Sequence, residues 1–170
     1  TVKLFILHKV NNILVMGCEA NEIVMSQMLI TMPDNIGNYC ESMDKKSYEP
    51  KLRELCLAKF DDGCWYRGIC IDDNSSSHED NILFLDFGNT GRVHKTNIRK
   101  ITEEFVKVPV IAALCSLKGF ENITESQKKQ VEKLVESNEI YEAHIISSDG
   151  IGRYIIEFPH VVNAFNAKCC

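Results

Sequence analysis

No apolar run in this chain approaches the roughly 18 residues that a helical membrane span needs, and no charged, apolar and small-residue succession marks a secretory signal. A soluble, intracellular protein is expected. An initiator methionine is also missing, and a chain that begins at Thr1 and stops at Cys169-Cys170 reads as a fragment cut from a longer protein. CxxC pairs are absent although there are eight cysteines, Cys18, Cys40, Cys56, Cys64, Cys70, Cys115, Cys169 and Cys170. Zinc and dithiol redox centres therefore lack their usual signature, and thiols set in apolar runs read as reduced and buried. Arginines are few and scattered, at Arg53, Arg67, Arg92, Arg99 and Arg153, so the clustered groups of a metal-assisted phosphodiesterase are not expected. No cofactor or metal is called for, and the chain does not read as an enzyme.

What is present begins with charge. The net charge of −5 is concentrated around one segment, through Asp61, Asp62, Asp72, Asp73, Glu79, Asp80 and Asp86. Such a surface repels a phosphate backbone and draws in a cationic peptide, which makes direct nucleic-acid binding an unfavoured reading. The matches to a glycosylation sequon at Asn74-Ser75-Ser76 and Asn122-Ile123-Thr124 carry no weight in a cytoplasmic protein.

Residues 2–8 (VKLFILH) and 12–18 (NILVMGC) read as strands around Asn11-Asn12, whereas 22–30 (EIVMSQMLI) has no clean period and fits strand or helix. Pro33 suits the first turn of a short helix reaching about Glu41. Residues 43–50 read as a connection. From 52 to 101 the pattern changes to ELCLAKF, CWYRGICID, NILFLDF and TGRVHKT, short strands separated by turn residues, which argues for a small, bent antiparallel barrel with a solvated loop over 72–80. Beyond it come an apolar run at 108–120 and a helix over 124–137. Thr124 and Ser126 are its candidate caps, Val131, Leu134 and Val135 its apolar stripe, and Lys128-Lys129 its solvated face. YEAHIISSD and GRYIIEF supply two more strands. β-structure thus flanks the 52–101 block on both sides. Residues 1–50 and 104–170 are expected to form one barrel together, with 52–101 inserted into it.

The stretch FDDGCWYRGICIDDNSSSHEDNILFLDFGN, residues 60–89, gathers Phe60, Trp65, Tyr66, Phe84 and Phe87 into a polar, turn-rich setting. Strand alternation forbids Trp65 and Tyr66 from facing the same side, and Trp65 is the one expected to pack. A bend at Asp86-Gly88 would bring Phe84 and Phe87 to one rim. Pattern alone leaves two readings. The four remaining rings are ordinary core, or they are displayed together as a box for an alkylated cation, attracted to the ring faces by about 0.5–2 kcal/mol per contact. Asn89 adds an amide oxygen able to accept from an N–H of such a ligand.

AKFDDGCWYRGICI followed by ILFLDFGNTGRV resembles, nearly position for position, the signature of extended Tudor domains, and the resemblance covers the whole chain. It implies a mainly β fold with short helices, a Tudor SH3-like barrel inserted into a staphylococcal-nuclease-like, OB-fold barrel, with 108–120 as the returning segment. It implies a cage made of Phe60, Tyr66, Phe84 and Phe87 with Asn89 as the polar member, and Asp86 as a brace for the loop. Phenylalanine stands at 84 and 87 where the family commonly has tyrosine, and Gly68 replaces a small alanine. The function implied is a non-catalytic reader of arginine-rich peptides, preferably symmetrically dimethylated, on the N-terminal tails of Piwi-clade Argonaute proteins. The location implied is cytoplasmic, extending to perinuclear germ granules. Two other readings stand beside it: a scaffold or self-association module with an idle cage, and an OB-type module for single-stranded RNA.

Overall fold

The strands follow the sequence's alternating runs closely. The computed structural model describes residues 1–44, 47–72, 77–150 and 152–167. The expected connection at 43–50, the loop at 72–80 with its sequon, and the Cys169-Cys170 end therefore lie partly or wholly outside the described residues. Along the chain, β1 (Val2–Lys9) and β2 (Leu14–Glu19) precede a helical stretch of α1 (Glu22–Ser26), a π turn at Gln27–Thr31 and α2 (Met32–Ser42). There follow β3 (Leu55–Lys59), β4 (Trp65–Asp72), β5 (Glu79–Phe84), β6 (Thr90–His94), β7 (Ile98–Lys100) and α3 (Glu103–Val106). The chain ends in β8 (Ala113–Leu117), α4 (Glu125–Leu134), β9 (Ile140–Ser148), β10 (Arg153–Glu157) and α5 (Pro159–Asn166).

The chain forms two units, one from 1–20 with 111–170 and one from 21–110. The expected division placed 21–50 and 104–110 with the flanks. Packing explains why they group with the middle block instead: Met32, Ile36 and Cys40 of α2 and Phe105 of α3 share a core with Leu57 and Trp65.

The first unit is a closed barrel of order β1-β2-β8-β10-β9, in which β8 and β10 run parallel and the other pairs antiparallel. This is the 1-2-3-5-4 order of an OB fold, with α4 placed between the third and fourth strands. Asn11 makes the first turn by accepting the Ile13 and Leu14 amides on its side chain, both at 2.9 Å. Leu4, Ile6, Val15, Cys115, Leu117, Ala143 and Ile156 fill the interior, and Val131 of α4 and Val161 of α5 join them. Thr124 is the cap of α4, in a reciprocal box with Gln127 that satisfies two amides otherwise left open.

The second unit is a five-stranded antiparallel sheet of order β6-β5-β4-β3-β7. The stretch at 22–30, which the sequence left between strand and helix, is helical. Its lost period has a cause in the π turn, where the Met32 amide reaches back to the Gln27 carbonyl. The wider turn sits immediately before Pro33, whose ring would crowd a regular α-helical turn and which has no amide to donate. Among the described cysteines all six are free thiols and five are buried, while Cys64 is exposed. Burial pushes the Cys56 thiol up to about 12 and the Cys115 thiol up to about 11.

Candidate functional site

The pairing of β3, β4 and β5 sorts their side chains by parity. Ala58 lies opposite Tyr66, and Gly68 opposite Phe84. With a side-chain period of two, Cys56, Ala58, Tyr66, Gly68, Cys70, Ile82 and Phe84 therefore share one side of the sheet. That side holds the core of Cys56, Ala58, Cys70, Ile82, Phe84, Val93 and Ile98, with Phe60 and Tyr66 packed against it. Odd-numbered Leu57 and Trp65 face the other way, into the core under α2. Trp65 is 3% exposed, and its indole N–H donates to Glu41 Oε1 at 2.9 Å.

Two tight turns carry the aromatic side past the ends of the strands. After β3, the Gly63 amide donates to the Phe60 carbonyl and the Phe60 amide to the Cys64 carbonyl, each at 2.9 Å. Gly63 has φ +84°, a conformation that glycine adopts without a Cβ clash. After β5, the Gly88 amide donates to the Phe84 carbonyl at 2.7 Å and the Phe84 amide to the Asn89 carbonyl at 2.9 Å, with Gly88 at φ +79°. Strand alternation ends there. The Phe87 ring meets Tyr66 edge to face, 5.1 Å between centroids at 76°.

Phe84 links the remaining rings. Its centroid lies 5.0 Å from Phe60 and 6.1 Å from Tyr66, at 77° and 84°. Edge-to-face pairs of this kind set the positive edge of one ring on the negative face of the next. The four sequence-predicted rings thus form one contiguous cluster, but they do not share one exposure. Phe60, Tyr66 and Phe87 are half-buried, whereas Phe84 is 1% exposed. Phe84 is a floor, not a displayed ring: it belongs to the core with Ile82, Val93 and Ile98, and the missing side chain at Gly91 leaves its ring room.

Asn89 stands beside this turn, and its side-chain Oδ1 is buried with no hydrogen-bond partner among the described residues. A buried acceptor left in that condition costs about 1–3 kcal/mol, so it marks a place where an external donor is welcome. Asp86 is engaged within the protein. It is 4% exposed and takes a bidentate pair from the Arg67 guanidinium, with Nε to Oδ2 at 2.9 Å. Arg67, 2% exposed, also donates to the carbonyls of Phe105 and Val108. This buried fork ties the β5 turn to β4, to α3 and to the segment after it.

Three participants were not singled out from the sequence. Gly91 of β6 is one: a Cβ there would meet Phe84 Cε2 at 3.3 Å and Phe60 Cε2 at 3.4 Å, so its absence gives both rings their room. A glycine inside a strand is the available signal for such close approach. Arg67 is the second, and a charged residue amid apolar strand positions was its only mark. The third is Asp62, which accepts the Tyr66 hydroxyl at 2.7 Å. Burial, and then that carboxylate, hold the Tyr66 phenol far above its ordinary range. Among the described residues no group of metal-binding side chains occurs, and no helix is long and apolar enough to cross a membrane.

Comparison with known proteins agrees with this architecture. Mouse RING finger protein 17 is 37% identical over 92 residues, which are 53% of this chain and 6% of that protein. The chain therefore spans a small fraction of the length of such relatives. Extended Tudor domain TD3 of mouse TDRD1, solved with a MILI peptide containing dimethylarginine, superposes with a TM-score of 0.82 at 15% identity, covering 98% of this chain and 90% of the other. The extended Tudor domain of human TDRD1, solved with a symmetrically dimethylated peptide, gives 0.78 at 18% identity, covering 92% and 78%. A family model of the Tudor domain matches residues 8–119, more than half of the chain. Together with the nested sheet and barrel, this establishes that the chain belongs to the Tudor domain family, in its extended form.

Proposed function

We propose that the chain is a non-catalytic reader of arginine-rich peptides that prefers symmetrically dimethylated arginine and holds it in a cage of Phe60, Tyr66, Phe84 and Phe87, with Asn89 as the polar member. One observation carries the reading: a buried acceptor without a partner, Asn89 Oδ1, stands beside a cluster of half-exposed aromatic rings. The rings attract a diffuse cation by about 0.5–2 kcal/mol per contact, and Asn89 supplies the hydrogen bond that a guanidinium N–H seeks. Methyl groups make the ligand easier to dehydrate while leaving its charge in place. The rings touch one another, with centroids 5.0–6.1 Å apart. Consecutive rings stand nearly perpendicular, as adjacent walls do, with Phe84, fixed in the core, as the floor.

The peptides bound to the structural neighbours, one of them from MILI and both carrying dimethylarginine, support a methylarginine peptide as the kind of partner. We assign the N-terminal tail of a Piwi-clade Argonaute protein as the source, and a cytoplasmic, germ-granule setting as the place of action. Titration with an Arg-Gly peptide, unmodified and symmetrically dimethylated, tests the reading, with a single-stranded RNA oligomer as control. The dimethylated peptide binds more tightly than the unmodified one, its affinity falls as salt rises because the acidic surroundings assist approach, and the RNA does not compete. Equal affinity for both peptides, or RNA binding that displaces them, contradicts it.

A further inference from the structure

Asp62 lies exposed in the turn between β3 and β4, and both of its carboxylate oxygens are engaged. Oδ1 accepts the Cys64 amide at 2.9 Å, and Oδ2 accepts the Tyr66 hydroxyl at 2.7 Å. The first bond anchors the carboxylate within its own turn, and the second tethers the Tyr66 ring to that anchor. Tyr66 is the ring that touches both Phe84 and Phe87, and alone among the four it has a hydroxyl through which its electrons can be adjusted. A phenol that donates to a charged oxygen keeps more electron density on its own oxygen and, by resonance, on its ring. The face that a cation meets becomes more negative. Burial and the Asp62 carboxylate raise the Tyr66 phenol above its ordinary range, in keeping with its role as donor in this bond.

We propose that Asp62 is a positioning residue that sets the preference of this site for a charged over an uncharged side chain, by fixing Tyr66 and enriching its ring. The inference rests on the reading of the cluster as a methylarginine cage and names what gives that cage its charge selectivity. An alkylated guanidinium is the favoured ligand class, and a urea of the same shape is the excluded one.

Two peptides identical except at one position separate these ligands: an Arg-Gly peptide with symmetrically dimethylated arginine, and the same peptide with N-methylcitrulline, which is uncharged. Calorimetric titration of Asp62→Asn, which keeps an acceptor oxygen and loses the charge, is expected to show affinity for the charged peptide lowered by about 3- to 10-fold while the neutral peptide changes by less than about twofold. Tyr66→Phe, which keeps the ring and loses the tether, shifts the ratio in the same direction. The double variant falls no further than the weaker single variant, because both remove one shared interaction. Equal losses for the two peptides would make Asp62 a brace of its turn and overturn the proposal, as would an unchanged ratio or fully additive losses. Wild-type protein that binds the charged peptide while the variants keep its ratio sinks this inference alone. Wild-type protein that binds neither peptide sinks the cage reading and this inference with it. Melting curves confirm that each variant is folded, and if Asp62→Asn does not fold, the ratio measured for Tyr66→Phe decides.

Discussion

Trp65 and Tyr66 are neighbours on β4, and the sheet sends them to opposite fates. On the odd-numbered side, Trp65 packs with Leu57 beneath Met32, Ile36 and Cys40 of α2, and its one polar atom is answered by Glu41. On the even-numbered side, Tyr66 continues a core of small and aliphatic residues into a rim of half-exposed rings, and the acceptor beside them is answered by nothing in the described protein. Both sides are aromatic, but they differ in exposure: Trp65 is covered, whereas Phe60, Tyr66 and Phe87 are half-buried. The two-residue period of a strand thus lets adjacent positions serve stability and recognition separately.

Substitution at the covered side should give the largest effects. Trp65→Ala empties a 3%-exposed site, and an unfolding free energy lower by about 3–5 kcal/mol is expected in denaturant titration. Asp86→Ala should cost a similar 3–5 kcal/mol, roughly, because it leaves the buried Arg67 charge without its carboxylate. Phe84→Ala sharpens the contrast further. As both core and floor it is expected to lose stability and peptide affinity together, unlike either Trp65 or the rim.

Gly68 tests how tightly the even-numbered side is packed. A Cβ there would stand 2.4 Å from Ile82 Cγ2, so Gly68→Ala is expected to destabilise by about 1–3 kcal/mol, and Ile82→Leu, which moves the branch away from Cβ, to restore most of the loss in the same melting assay. The smallest effect on stability, and the one most telling in sign, belongs to Asn89→Ala. Removal of an unsatisfied buried oxygen should leave the free protein as stable as before or slightly more so, while peptide affinity weakens by about 1–3 kcal/mol. A loss of stability equal to the loss of binding would place Asn89 in the core framework instead.

Strand alternation and turn residues made much of this legible beforehand. Period two puts Trp65 and Tyr66 on opposite sides of the sheet, and DFGN marks the turn that follows β5. What stayed hidden depended on contacts distant in sequence. Nothing near Arg67 states that its guanidinium meets Asp86 and the carbonyls of Phe105 and Val108, so a buried fork looked like one more scattered arginine. The helix at 22–42 lost its period to the π turn ahead of Pro33, and α5 went unread although Pro159 sits in its first turn. The depth of Phe84 was equally invisible, since it depends on the room left by Gly91 on the paired strand β6.

Phe87→Ala offers the most direct measurement, made as a binding isotherm and a melting curve on the same sample. Phe87 is half-buried, outside strand alternation, and in contact with Tyr66. If the rim is a methylarginine cage, the variant binds the dimethylated peptide more than about tenfold more weakly than wild type and its Tm falls by less than about 4 °C. A variant that melts as early as Trp65→Ala, or that keeps its affinity for the dimethylated peptide, would show that the rings are core and that recognition, if any, lies elsewhere.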